Sequence, residues 1–187
     1  MRNVTYSLGL SLDGYVMGPD GGFDWAAPDD EMFAFVTEEI QLDGVHLLGR
    51  RLYEAMLVWE DDEQVASFDG ALQEWATSWR RLPKVVFSRS LDAVQGNARL
   101  ATGGLAEEIE RLKAEPGEGD IAIGGADLAR QAIDAGLVDE FRMRVHPVLV
   151  GGGTPYFPHH ERRDDLELLE SRMFGSGVVF LRYRVIH

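Results

Sequence analysis

The stretch Asp120-Ile121-Ala122-Ile123-Gly124-Gly125-Ala126-Asp127-Leu128 decides the fold. A short apolar run stops on two glycines. It passes straight into a segment whose apolar residues, Leu128, Ala129, Ala132 and Ile133, recur at helical spacing as far as a stop at Gly136. This is a strand followed at once by a helix. Two glycines at such a turn let a ligand approach the backbone with no Cβ in the way, and the first N–H groups of the helix then face an anion, most often a phosphate. The same pattern also serves a tight turn that binds nothing.

The motif repeats upstream. Val4 to Leu10 alternates apolar with small polar residues and reads as a first strand, running into Ser11-Leu12-Asp13-Gly14 and a Gly/Pro-rich loop at Gly18 to Gly22. Val45 to Leu48 is a buried strand ending at Gly49-Arg50-Arg51, with a helix over Leu52 to Leu57. Lys84 to Phe87 is another, ending at Ser88-Arg89-Ser90. Arg99 to Thr102 precedes a helix marked by Leu105, Ile109 and Leu112, in which Glu107 is spaced to pair with Arg111. Pro28-Asp29-Asp30-Glu31 opens a helix with Pro28 suited to its first position, and Met32, Val36 and Ile40 mark its buried face. Leu72, Trp75, Ala76 and Trp79 form a further helical stripe. Trp59 to Asp69 reads as an acidic, irregular surface insertion.

Strands alternating with helices predict a largely parallel sheet with right-handed crossovers. The last part changes character. Glu140 to Val150 reads as one long strand, with Phe141, Met143 and Val145 on one face and Arg142, Arg144 and His146 on the other, broken by Gly151-Gly152-Gly153. Leu166 to Met173 and Val178 to Val185 read as a closing antiparallel hairpin. The expected architecture is a single α/β domain over residues 1–187, three-layered, with a mostly parallel mixed sheet and a C-terminal antiparallel hairpin.

Composition excludes several functions. There is no cysteine, hence no disulfide, thiol nucleophile or Cys-based zinc site. A formal charge of −14 argues against nucleic acid or an anionic membrane as partner, although a few local arginines suffice for a small anion. No apolar run approaches the roughly 20 residues of a membrane span, and the N-terminus has no signal-peptide core, so a cytoplasmic location is expected. His46, inside an apolar strand, reads as structural. His159-His160 reads as surface, since adjacent histidines cannot easily face one ion, and no metal site is expected.

Three strand ends thus carry anion-friendly chemistry: Gly49-Arg50-Arg51, Ser88-Arg89-Ser90 and Gly124-Gly125. Open α/β sheets bind ligands beyond the carboxyl ends of their strands. The order of these pieces resembles the dihydrofolate-reductase-like superfamily, and most closely the stand-alone proteins related to the reductase domain of bacterial riboflavin biosynthesis. The matching segments are Ser11-Leu12-Asp13-Gly14, Leu48-Gly49-Arg50 with Tyr53-Glu54, Phe87 to Leu91, Ile123-Gly124-Gly125, and Val138 to Phe141 leading to Pro147 to Gly153.

The resemblance implies a homodimer that binds NADPH and transfers hydride to a small heterocyclic or imine-like substrate, as a 5-amino-6-(5-phosphoribosylamino)uracil reductase does. It implies that Gly124, Gly125, Ala126, Asp127 and Leu128 line the pyrophosphate, that Gly49, Arg50 and Arg51 lie near the phosphates, and that Ser88 and Arg89 hold the adenosine 2′-phosphate. Trp25, Pro28 and Asp30 resemble the folate-reductase pattern that places a carboxylate against the substrate ring, so Trp25 and Pro28 are expected to contact substrate. Asp30 is the first candidate for the catalytic carboxylate and Asp13 the second, although Asp13-Gly14 is also a turn signal. Leu52 stands where folate reductases usually carry threonine. A true dihydrofolate reductase and a non-catalytic nucleotide-binding dimer are the alternatives.

Overall fold

Local signals set the element boundaries. The computed structural model describes residues 2–159 and 161–186. The first half comprises β1 (Val4–Ser11), β2 (Tyr15–Met17), α1 (Asp30–Ile40), β3 (Asp43–Gly49), α2 (Arg50–Met56), α3 (Asp62–Ser67), α4 (Gly70–Arg81) and β4 (Lys84–Phe87). β5 (Ala98–Leu100), α5 (Leu105–Ala114), β6 (Asp120–Gly124) and α6 (Ala126–Asp134) follow, then β7 (Glu140–His146), β8 (Thr154–Pro155), β9 (Leu166–Met173) and β10 (Val179–Val185). Asp29 caps α1 by accepting the Met32 N–H at 2.8 Å, so Pro28 precedes the cap rather than opening the helix. α6 ends where Gly136 adopts φ +67° and the Leu137 N–H returns to the Ala132 carbonyl.

The strands assemble in the order β5-β4-β3-β6-β1-β7-β10-β9. The six from β5 to β7 are mutually parallel, and β10 and β9 add antiparallel to them. Parallel strands need cover on both faces. α5 and α6 cover one, over Val4, Tyr6, Leu47, Ile121 and Ile123. On the other, Leu48 and Val86 pack with Trp79 of α4 and Tyr53 of α2, while Met32 of α1 packs with Phe174 and Phe180. This is the three-layer α/β fold with a C-terminal antiparallel pair.

Three local expectations need correction. The acidic segment is not irregular: a 3-10 turn at Leu57–Trp59 leads into α3, capped by Asp61 on the Gln64 N–H, and Trp59 packs against Phe68 and Trp75. The long strand stops at His146, because Pro147 has no N–H to continue a ladder. Glu107 turns back to the Gly104 N–H, and Arg111 instead meets Glu108. His159 is exposed, as expected; His160 lies outside the described residues.

The two glycines of the deciding stretch have different structural causes. A Cβ on Gly124 would stand 2.7 Å from His46 Nε2 and 2.8 and 2.9 Å from the Leu52 and Leu48 methyls, whereas Gly125 has room but sits at φ +89°. Gly124→Ala should therefore cost about 1–3 kcal/mol by overpacking. Thermal unfolding should show Tm lower by about 2–4 °C for each kcal/mol.

Candidate active site

Parallel register brings the sequence-separated ends together. Leu48 pairs with Gly124 and Gly49 with Phe87, so the turns after β6, β3 and β4 lie side by side at one edge of the sheet. Gly124-Gly125, Gly49-Arg50-Arg51 and Ser88-Arg89 therefore form one contiguous rim. Gly125 is the N-cap of α6 and supplies no capping side chain, which leaves the first-turn N–H groups free. Ala126 and Asp127 begin that helix, with Asp127 exposed, while the Leu128 side chain is buried in the core and can offer only its backbone to a ligand. A Cβ at Gly49 would meet nothing within 4 Å. Leu52 lies over both glycines of the β6 turn, which puts an apolar surface where a threonine would offer a hydroxyl.

Arg50 is exposed and 3.4 Å from Glu54, whereas Arg51 and Arg89 are exposed and make no ion pair among the described residues. Ser88 Oγ accepts the N–H groups of Ser90 and Leu91, both at 3.1 Å, so the serine shapes the turn that presents Arg89.

A second group forms at the ends of β1 and β7, where Ser11 pairs with His146. Asp13 accepts the Gly151 N–H at 2.7 Å and the Val150 N–H at 3.2 Å, tying the two loops together. The Ser11 hydroxyl, with these two amides, holds its carboxyl below the usual range. It is thus kept as an anion, a poor proton donor. Trp25 lies in a 3-10 turn (Asp24–Ala26) and lines a cleft of about 440 Å³ with Gly18, Asp20, Gly22, Asp24 and Val150. Pro28 and Asp30 are exposed and do not line this cleft; Asp30 is the first residue of α1.

His146 lies behind Trp25, its ring edge-on to the indole at a centroid distance of 5.5 Å. It occupies the space that Gly9 leaves, since a Cβ there would stand 3.1 Å from His146 Nε2. Burial, then the Arg144 charge, pushes the imidazole below its usual range, so it is neutral near pH 7. Sequence reasoning placed His146 on a strand face without giving it a role; its position at a strand end, after Arg142 and Arg144, was the available signal.

Beneath the β6 turn, Asp43 Oδ2 is 3.9 Å from His46 Nδ1. Burial pushes the Asp43 carboxyl up to about 8, with Glu39 and Asp120 adding to the rise and Arg142 opposing it. Burial and then Lys84 draw His46 down to about 4. The folded protein keeps on Asp43 a proton that the unfolded chain releases near pH 4. That contribution to stability is present below about pH 4 and is lost as pH rises to about 8. Asp43→Asn should remove the loss. Urea unfolding should show the variant gaining on the parent by about 1.4 kcal/mol or more, one pKa unit, between pH 5 and pH 8.

Comparison with known proteins agrees with this fold. Residues 2–180 match the family described as the RibD C-terminal domain. The Bacillus subtilis (strain 168) protein YyaP, whose function is uncharacterized, is 32% identical over 182 residues, covering 97% of this chain and 94% of YyaP. Among solved structures, a Shewanella sp. PV-4 protein ascribed to riboflavin biosynthesis superposes with a TM-score of 0.74 at 23% identity, covering the whole of both chains. The diaminohydroxyphosphoribosylaminopyrimidine deaminase/5-amino-6-(5-phosphoribosylamino)uracil reductase of Thermotoga maritima superposes with a TM-score of 0.66 at 15% identity. That match takes in 99% of this chain and 57% of the Thermotoga chain.

Proposed function

The chain belongs to the RibD C-terminal domain family, and from that premise we propose that it is a reductase. It binds NADPH along the ends of β6, β3 and β4 and reduces a small heterocyclic or imine-like substrate held in the Trp25 cleft. The observation that carries this is the contiguous rim: a glycine N-cap with uncapped amides, an open Gly49, and two unpaired guanidiniums on adjacent strand ends. These are the features a dinucleotide's phosphates need.

The first-turn amides of α6 and the Arg50 and Arg51 guanidiniums would hold the pyrophosphate, and Asp127 would accept from a ribose hydroxyl. When bound, the nicotinamide supplies the hydride; the protein supplies placement and charge. Asp30, on the exposed first turn of α1, lies outside the cleft lining and would meet only a part of the substrate that extends beyond it, while Asp13 is committed to the loop amides. Trp25 gives the substrate a flat apolar wall.

Arg89 distinguishes NADPH from NADH. One charge-assisted pair to a 2′-phosphate is worth about 1.5–3 kcal/mol. Arg89→Ala should weaken NADPH roughly 10- to 100-fold in a fluorescence titration and leave NADH nearly unchanged. Equal loss of both would remove Arg89 from the site. NADPH binding with no oxidation across pteridines, pyrimidines and imines would favour a non-catalytic nucleotide-binding protein.

A homodimer is part of the same proposal. Among the described residues β9 pairs only with β10, and it presents Leu166, Leu168 and Met173 to the exterior. A long, exposed apolar edge strand invites a second chain. Sedimentation at micromolar concentration should give a dimer, and Leu168→Glu should shift it toward monomer.

A further inference from the structure

The cleft beside Trp25 carries information about its ligand that the fold does not. Its lining includes two carboxylates, Asp20 and Asp24, and no lysine or arginine. Asp20 uses one oxygen to accept the Gly22 N–H at 2.9 Å and keeps the other free of protein hydrogen bonds; Asp24 has no side-chain hydrogen bond or ion pair among the described residues. A third carboxylate, Asp13, binds the amide of Val150, itself a lining residue, and is held in its ionised form. The arginine nearest along β7 does not relieve this field: Arg144 is engaged by Glu39 and the Ser7 hydroxyl, both at 2.8 Å, under α1.

The rim is apolar. Phe23 stands between the lining residues Gly22 and Asp24 and is largely exposed. Leu12 and Leu149, also largely exposed, stand on the two loops joined beside Val150 by the bond from the Leu12 N–H to the Val148 carbonyl. One wall is Trp25, an indole of the kind that attracts cations over its face.

We propose that this cleft takes a small, flat, positively charged nitrogen heterocycle that bears no phosphate. The inference rests on the reductase proposal in placing the substrate here, and it narrows that substrate's class. A phosphoribosylated pyrimidine would bring a dianion to a cleft lined by two aspartates and by no lysine or arginine. At separations of about 4–6 Å and an effective dielectric near 20, each such juxtaposition is strongly unfavourable, and the same field favours a cation. The anion-binding groups are instead gathered on the β6-β3-β4 rim. The cofactor and the substrate thus meet surfaces of opposite charge.

Calorimetric titration of the cofactor-free, full-length protein at pH 8 tests this, with N-methylquinolinium as the cation, quinoline as its neutral counterpart, and ribose 5-phosphate as the phosphate probe. The cation should bind at least tenfold more tightly than quinoline. That preference should fall to within about twofold in the Asp20→Asn/Asp24→Asn variant, where the side-chain amide oxygen introduced at position 20 still accepts the Gly22 N–H. Ribose 5-phosphate should not displace the cation. Equal binding of cation and neutral ring, no binding of the cation, a preference unchanged in the double variant, or displacement by ribose 5-phosphate would each overturn the proposal. Titration of NADPH into the same protein keeps the two proposals apart. Cation selectivity without NADPH binding would sink the reductase and leave the ligand class standing; NADPH binding without cation selectivity would do the reverse.

Discussion

The arrangement of strand ends depends on a layer of buried charge between the sheet and α1. Arg142 of β7 binds Glu140 at 2.7 Å and Asp120 of β6 at 2.5 Å, and Glu140 in turn receives Arg182 of β10 at 2.7 Å. Alongside, Arg144 bridges Glu39 of α1 and Ser7 of β1. These bonds lock β6, β1, β7 and β10 laterally, and so fix how far each strand end protrudes. Burying such charges gains little by itself, but removing one partner from a completed set strands the others and costs about 3–5 kcal/mol. The layer therefore acts as a register clamp. Slippage of β6 against β1 would shift the Gly124-Gly125 turn relative to the Ser11 end of β1, and slippage of β7 would separate His146 from Ser11.

Much of the architecture was legible because its signals are local. The β6–α6 turn, the hairpin and the helical stripes each declare themselves within about ten residues, and the positions of Arg51, Arg89 and Gly125 follow from them. The charge layer was only half legible. The alternation of β7 put Arg142, Arg144 and His146 on one face, which suggests solvent, yet Arg142 and His146 are buried. Arg142 is held by Glu140 and by Asp120, 22 positions away, His146 fills the space beside Gly9, and Arg144 meets Glu39, 105 positions away on a helix whose buried face looked purely apolar. Likewise α3 was hidden by its charge: Asp61, Asp62 and Glu63 read as a solvated loop, although carboxylates at a helix start are what stabilise it.

Glycine was the most ambiguous letter. Gly124 and Gly125 look alike in sequence. The first is required by the close approach of His46 and Leu52, and the second by a left-handed backbone; neither requirement alone implies a ligand. Gly9 drew no attention, yet it makes the space into which His146 fits. Among the glycines of the β6-β3 rim, the one most open to a ligand is Gly49, whose backbone is ordinary and whose Cβ would meet no protein atom within 4 Å. A functional glycine is recognised by what the protein fails to require of it, and that needs coordinates.

A chain of net charge −14 can still hold a polyanion, because the field that matters is local. At physiological ionic strength charges are screened over about 8 Å, so the distant carboxylates count for little beside adjacent guanidiniums and helix amides. The unpaired Arg51 and Arg89 keep their full charge for a ligand, whereas Arg99 and Arg111 do not. Those two are spent on Glu108, where burial alone would raise the carboxyl but the bonds from Arg99, the Thr102 N–H and Arg111 bring it down to about 2. Pairing state, more than the number of arginines, thus separates the basic groups that recognise a ligand from those that hold the fold. The same sorting applies to the carboxylates: Glu39, Glu108 and Glu140 are bound by arginine, Asp13 by amides and the Ser11 hydroxyl, and Asp24 by no side-chain bond among the described residues. At the carboxyl edge the groups free of ion pairs among the described residues are sorted by sign, Arg51 and Arg89 over β3 and β4 and Asp20 and Asp24 beside Trp25.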